Sequence, residues 1–169
     1  IDLAEMPIAR AEQLATQLGL QNVKFRQADV AQLTGQAGEC DFLIAHGLYS
    51  WVAEPVQDKM LELIAHLLAP NGIGYVSYNA YPGWHIREMT RNIVRLHTAG
   101  VTDPVEIRIR ALELLGTIYR SQDENEMYRG TVKAELERIA AKDPNQCFHD
   151  DFAEINEPLY FTEFIKRAS

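Results

Sequence analysis

Residues 41–51 read Asp41-Phe42-Leu43-Ile44-Ala45-His46-Gly47-Leu48-Tyr49-Ser50-Trp51. Phe42 to His46 is a short apolar run bounded by an acidic residue and a glycine. That pattern suits a central strand covered on both faces. Gly47 ends it, and two aromatics follow within four residues. In open α/β sheets ligands bind just beyond the carboxyl ends of such strands. His46, Gly47, Tyr49 and Trp51 are therefore expected to wall a pocket.

On either side of this stretch, strand and helix patterns alternate. Ile1-Asp2 reads as the end of a strand, which marks the chain as a piece of a longer protein. Ile8, Ala11, Leu14, Ala15 and Leu18 recur at helical spacing, with Pro7 in the first turn and Gly19 as terminator. Residues 22–27 alternate, with Val23 and Phe25 on one face, and predict a strand ending at Ala28-Asp29-Val30. Residues 34–39 form a polar, glycine-containing loop. After the opening strand, Pro55 starts a helix with the stripe Val56, Met60, Leu63, Ile64, Leu67 and Leu68. Ala69-Pro70-Asn71-Gly72 stops it with turn chemistry. Ile73 to Tyr78 predicts a further strand, running into Asn79-Ala80-Tyr81-Pro82-Gly83-Trp84. Short loops joining strands to helices indicate a parallel sheet with right-handed crossovers.

Beyond Trp84 the pattern becomes helical only. Helices are predicted over 85–98, 104–120, 124–142 and 161–168. Their stripes are Ile86, Met89, Ile93 and Leu96; Val105, Ile109, Leu112 and Leu115; and Tyr128, Val132, Leu136 and Ile139. The shift places a domain boundary near Gly100, giving an α/β part over 1–99 and a helical part over 100–169, itself truncated at its C-terminus. The expected fold is thus α/β, a Rossmann-like sheet incomplete at its N-terminus, followed by an all-helical domain.

Composition narrows the function. Sixteen basic and twenty-four acidic residues give a net charge of −8, which argues against a general binder of nucleic acid or of anionic membranes. Cys40 and Cys147 lie far apart without metal-type spacing and read as free thiols of a reducing cytosol, hence a cytoplasmic protein. No apolar run reaches the length of a membrane span.

Three chemistry-bearing residues fall at predicted strand ends: Asp2, Asp29 and His46. An acid at the end of the second strand of a doubly wound sheet commonly accepts from ribose hydroxyls, and one after the third strand can accept from an exocyclic amine. Aspartate is also a frequent helix cap, and both readings stay open for each residue alone. Together they favour a nucleoside-like ligand.

The motifs Ile1-Asp2-Leu3-Ala4, Val23 to Val30 and Cys40 to Gly47 resemble successive motifs of class I S-adenosylmethionine-dependent methyltransferases. His46 to Val52, Leu67 to His85 and Asn156 to Phe161 resemble, more narrowly, a bacterial subfamily in which the core is followed by a helical methyltransferase regulatory domain, some members being protein-lysine methyltransferases. The resemblance implies S-adenosylmethionine as cofactor. It puts Asp2 at the ribose hydroxyls and Leu3 beside the adenosine. Ala28, Asp29 and Val30 would flank adenine, with Asp29 accepting from its amine, and Ala45, His46 and Gly47 would line the methionine side. The family's glycine-rich loop would precede Ile1, so the fragment alone is expected to be inactive. Tyr78 and Asn79 are expected to orient the methyl acceptor, with Tyr49 and Trp51 walling the methyl channel. Tyr81 and Trp84 also fall just past strand ends. The acceptor is a protein, first of all a lysine amine, or a small molecule. The oligomeric state is left open.

Weaker constellations have plainer readings. His149-Asp150-Asp151 reads as a loop capping a helix rather than a metal site, and His66, His85 and His97 lack partners at ligand spacing. Ser50 has no glycine flanks of a nucleophile elbow. Arg87, Arg91 and Arg95 share a helical face and read as solvated, pairing with Glu88. Two further readings compete with the enzyme. One is a binding or regulatory module on a core that no longer turns over. The other is a nucleotide-binding oxidoreductase, against which the Ala28-Asp29-Val30 element and the aromatic Asn79 loop speak.

Overall fold

The computed structural model describes residues 1–35 and 38–169. It divides into two compact units, Ile1–Tyr78 with Thr162–Ser169, and Asn79–Phe161. The chain thus leaves the first unit after Tyr78 and returns to it for its last eight residues. Gly100, where the composition changes, falls inside the second unit.

The first unit is the α/β part. Helix α1 (Glu5–Gln17) is followed by a short 3-10 turn (Val30–Gln32), strand β1 (Cys40–Ala45), a second 3-10 turn (Tyr49–Trp51), helix α2 (Glu54–Leu67) and strand β2 (Leu68–Val76). The strands are parallel, with Phe42 opposite Ile73 and Ala45 opposite Val76. A parallel pair needs a crossover, and α2 supplies it. Gly74 lets the helix approach closely: a Cβ there would meet Ile64 Cγ2 at 2.8 Å. The Ala69-Pro70-Asn71-Gly72 turn lies within β2 as a register irregularity, with Asn71 at φ 70°.

Two expectations for this unit are corrected. Residues 22–27 make a single parallel bridge among the described residues, Gln27 with Asp2, because only Asp2 supplies ladder partners: its N–H meets Arg26 O and its carbonyl meets Ala28 N–H. Strand β1 is covered on one face only. Leu43 and Ala45 face a cavity shared with Met60, Leu63 and Ile64 of α2. Phe42 and Ile44 alternate to the other face and are 69% and 70% exposed, as period-two geometry requires when one helix alone covers the pair.

The second unit holds α3 (His85–His97), α4 (Pro104–Ser121), α5 (Met127–Ala140), the short α6 (Pro144–Cys147) and a π-helical turn (Phe148–Phe152). Its core is Val94, Ile107, Ala111, Leu115, Val132, Ile139, Cys147 and Phe152. Pro104 and Pro144 sit in first turns, where their missing N–H is not needed. Asp103 and Asp143 cap those helices by accepting from Val105 N–H and from Asn145 and Gln146 N–H. Helix α7 (Phe161–Ala168) carries the return to the first unit.

The α5 stripe packs as its spacing predicts. That of α4 is displaced: Ile107, Ala111 and Leu115 are buried while Val105 and Ile109 are exposed. On α3 the predicted stripe is likewise outward at Ile86, Met89 and Leu96, and the buried positions are Thr90, Arg91 and Val94. Arg91 is therefore not solvated. Its guanidinium donates to the Ala153 and Glu154 carbonyls, and Arg95 donates to Glu154 O at 3.0 Å. Carbonyl acceptors make the burial of that charge tolerable. Burial, joined by the neighbouring Arg95, nonetheless lowers the Arg91 pKa to about 10. Asp151 is also buried rather than capping: Arg138 Nη1 lies 2.5 Å from Asp151 Oδ1 and Lys142 Nζ 3.1 Å from Oδ2. No helix among the described residues is long and apolar enough to cross a membrane.

Candidate functional site

In the first unit the aspartates at the strand ends have partners. Asp2 Oδ1 accepts from Ala4 N–H at 2.8 Å, closing the entry to α1. Asp29 Oδ1 accepts from Ala31 N–H at 2.9 Å, and Oδ2 lies 3.4 Å from Gln32 Nε2. Asp2 thus engages one oxygen locally and Asp29 both, and each carboxylate oxygen keeps lone pairs for a further donor. Capping and ligand binding are compatible at both positions. Leu3 is exposed beside Asp2, and Gln27 Nε2 holds its carbonyl at 3.2 Å.

The opening strand ends as its glycine implies. Ser77 N–H donates to Ala45 O at 3.0 Å, and Gly47 N–H donates to Ser77 Oγ at 2.7 Å. Gly47 has φ 68° and open space where a Cβ would stand, so any other residue would be strained there. His46 is exposed, its ring 6.0 Å from that of Tyr75. Ala28 is half-buried. Val30 and Ala45 come together on the wall of an apolar cavity of about 280 Å³ between β1 and α2, which Leu33, Leu48 and Met60 also line.

Past the strand ends the aromatics cluster. Tyr49 has no exposed surface. Its ring meets Tyr78 at 6.3 Å and Phe164 at 5.6 Å, both edge-on, and Tyr78 stacks on Phe164 at 4.5 Å. Burial raises the pKa of both tyrosines, so they stay neutral across the physiological range. The Tyr49 hydroxyl is buried without a hydrogen-bond partner among the described residues. Trp51 is half-buried and its N–H closes the turn on Leu48 O at 2.9 Å.

The backbone of this turn is held by Gln57, itself fully buried. Gln57 Nε2 donates to Tyr49 O at 2.9 Å and to Val52 O at 3.2 Å. Its Oε1 accepts from Arg167 Nη1 at 2.7 Å. Sequence reasoning missed Gln57, Phe164 and Arg167. The signal for Gln57 was a polar residue flanked by stripe positions of α2. For Phe164 and Arg167 it was a strongly amphipathic last helix.

Asn79 begins the second unit, where its Nδ2 donates to Asn156 Oδ1 at 3.3 Å and its carbonyl accepts from Leu159 N–H at 3.1 Å. Further along, Tyr81 stacks on His85 at 4.1 Å, and its hydroxyl donates to both Glu88 carboxylate oxygens at 2.9 and 3.0 Å. Trp84 lies under the Arg87 guanidinium at 5.5 Å.

A family model described as a methyltransferase domain matches residues 1–147. The chain belongs to this methyltransferase family. Among solved structures it is similar to PKMT2 from Rickettsia typhi in complex with AdoHcy, at 31% identity and a TM-score of 0.79, covering 99% of this chain and 32% of that one. A second structure of PKMT2 from Rickettsia typhi gives a TM-score of 0.77 at 30% identity, covering 99% and 31%. Among curated proteins it is 29% identical to the uncharacterized protein RP028 of Rickettsia prowazekii over 99% of this chain and 68% of that protein. It is 31% identical to the uncharacterized protein RP789 of the same organism over 99% and 31%. The chain thus spans about two thirds of RP028 and about a third of RP789 and PKMT2. The methyltransferase-like α/β fold anticipated around the opening strand is the fold observed.

Proposed function

We propose that this chain forms part of an S-adenosylmethionine-dependent methyltransferase whose acceptor is a protein lysine amine. The observation that carries the reading is the match of nearly the whole chain to PKMT2 from Rickettsia typhi, a structure with AdoHcy bound. AdoHcy is what S-adenosylmethionine becomes after giving up its methyl group. The residues present suit that ligand. Asp2 and Asp29 each keep carboxylate lone pairs to accept from ribose hydroxyls and from the adenine amine respectively. Leu3, Ala28 and Val30 offer apolar surface to the adenosine. Ala45, His46 and Gly47 line the methionine side, where the positive φ and open space at Gly47 let backbone approach ligand closely.

When bound, S-adenosylmethionine supplies a methyl group on a positively charged sulfur. The chain's own residues position and desolvate. Trp51 and the turn that the enclosed Tyr49 anchors wall the methyl channel, and a neutral aromatic face favours a sulfonium or an ammonium beside it. Tyr78 and Asn79 orient the acceptor. A lysine acceptor must arrive without its proton, and apolar aromatic surroundings favour the neutral amine. A neutral amine held there would have its lone pair free for the methyl group that the bound cofactor would supply.

Calorimetric titration with AdoHcy tests the cofactor half. Binding is expected, weakened at least about tenfold in Asp29→Ala by loss of a charge-assisted hydrogen bond. Equal affinity in the wild type and the variant would remove Asp29 from the site.

A further inference from the structure

We propose that α7 is part of the catalytic unit and that Phe164 is a positioning residue for methyl transfer, setting the rings of Tyr49 and Tyr78 while Arg167 locks the same turn through Gln57. The inference rests on the methyltransferase reading above and extends it to a helix that the sequence assigned to a separate domain.

The geometry runs from α7 to the proposed channel wall along two routes. One is aromatic. Phe164 lies flat on Tyr78, with 21° between the planes, and stands edge-on to Tyr49 at 85°. Offset-stacked and edge-on pairs are the arrangements that ring quadrupoles prefer. Tyr49 is fully enclosed, so its ring sits where its neighbours leave room, and Phe164 and Tyr78 are aromatic neighbours that define that room.

The other route is polar. Arg167 has no acceptor atoms, so the Gln57 atom facing it must be the amide oxygen. That fixes the orientation of the Gln57 amide and turns its NH₂ group toward the Tyr49 and Val52 carbonyls. Asp58 Oδ1, at 2.9 Å, and Glu54 Oε1, at 3.1 Å, hold the same guanidinium from the first turns of α2. Ring and backbone of the 49–52 turn are thus both tied to one helix face. Mere docking of α7 would need apolar contact alone. A buried glutamine, oriented by a charge and donating to two carbonyls of one turn, is what holding that turn requires.

The test uses three variants of the full-length protein that contains this chain: Phe164→Leu, which keeps apolar bulk but loses the ring, Phe164→Tyr, which keeps the ring, and Arg167→Gln. Thermal melts confirm folding of each. Amide hydrogen exchange at residues 49–52 is expected to quicken about tenfold or more in Phe164→Leu and Arg167→Gln and to match the wild type in Phe164→Tyr, since exchange reports local opening. With methyl-labelled S-adenosylmethionine, kcat in the first two variants is expected to fall about tenfold with KM for the cofactor within about twofold, and Phe164→Tyr to retain turnover, the split expected when geometry rather than binding is lost. Unchanged exchange or unchanged kcat in an active protein overturns the inference and leaves the methyltransferase reading standing. A wild type that neither binds AdoHcy nor transfers label, with exchange responding as expected, overturns that reading and with it the catalytic part of this one. If both single variants unfold, Arg167→Lys, which keeps the charge and a donor, must show wild-type exchange, or the polar route is wrong.

Discussion

Tyr49 has its whole ring enclosed and its hydroxyl buried without an acceptor among the described residues. A buried hydroxyl without a partner costs about 1–3 kcal/mol, so the phenol oxygen works against stability while the ring serves packing. Tyr49→Phe should therefore gain about 1–3 kcal/mol in stability by urea titration. Because the proposed role is to anchor the channel wall, its methyl transfer should stay within about threefold of the wild type. Loss of turnover in a stable Tyr49→Phe would instead give the hydroxyl a part in the chemistry. Tyr49 and Tyr78 were legible as site candidates because both follow strand ends, and position in an α/β sheet carries that information. The local hydrogen bonds of Asp2 and Asp29 were legible as the capping alternative that the sequence offered for each. Phe164 was invisible, since nothing local says that a helix beyond the whole second unit comes back to Tyr78.

Helix α3 opens on a network that can be titrated. The Tyr81 hydroxyl donates to Glu88, and His85 Nδ1 lies 3.3 Å from the same carboxylate. Burial above all, then the bond to Glu88, raises the Tyr81 pKa to about 12. A phenol ordinarily titrates near 10, so the folded state holds this proton more tightly than the unfolded chain. The stability it contributes is complete below about pH 10 and is lost as pH rises toward 12, by about 3 kcal/mol at most. Denaturant unfolding at stepped alkaline pH should show that decline, and Tyr81→Phe should flatten it. An equally steep decline in the variant would place the effect elsewhere. At this scale the existence and type of the helices were readable from periodicity and from Pro104 and Pro144 in first turns. The choice of buried face was not. Both α3 and α4 carry apolar residues on more than one side, and packing against α5 together with carbonyl partners for Arg91 decided which side turns inward.

For the molecule as a whole, the parallel pair joined by α2, the turn at Gly47 and the return of α7 place the candidate residues of the first unit on one α/β scaffold. The family membership and the likeness to PKMT2 agree with what the motifs around the opening strand implied. The sequence pattern turns helical beyond Trp84, a few residues after the chain enters the second unit at Asn79, whereas the boundary was placed at the glycine-containing break near Gly100. The most direct measurement of the central claim is transfer itself. The full-length protein that contains this chain is incubated with methyl-labelled S-adenosylmethionine and a bacterial lysate, and protein and small-molecule fractions are counted separately. The account predicts label in protein, recovered on lysine after hydrolysis. Label in small molecules alone would contradict the acceptor, and label in neither fraction together with absent AdoHcy binding would contradict the methyltransferase reading.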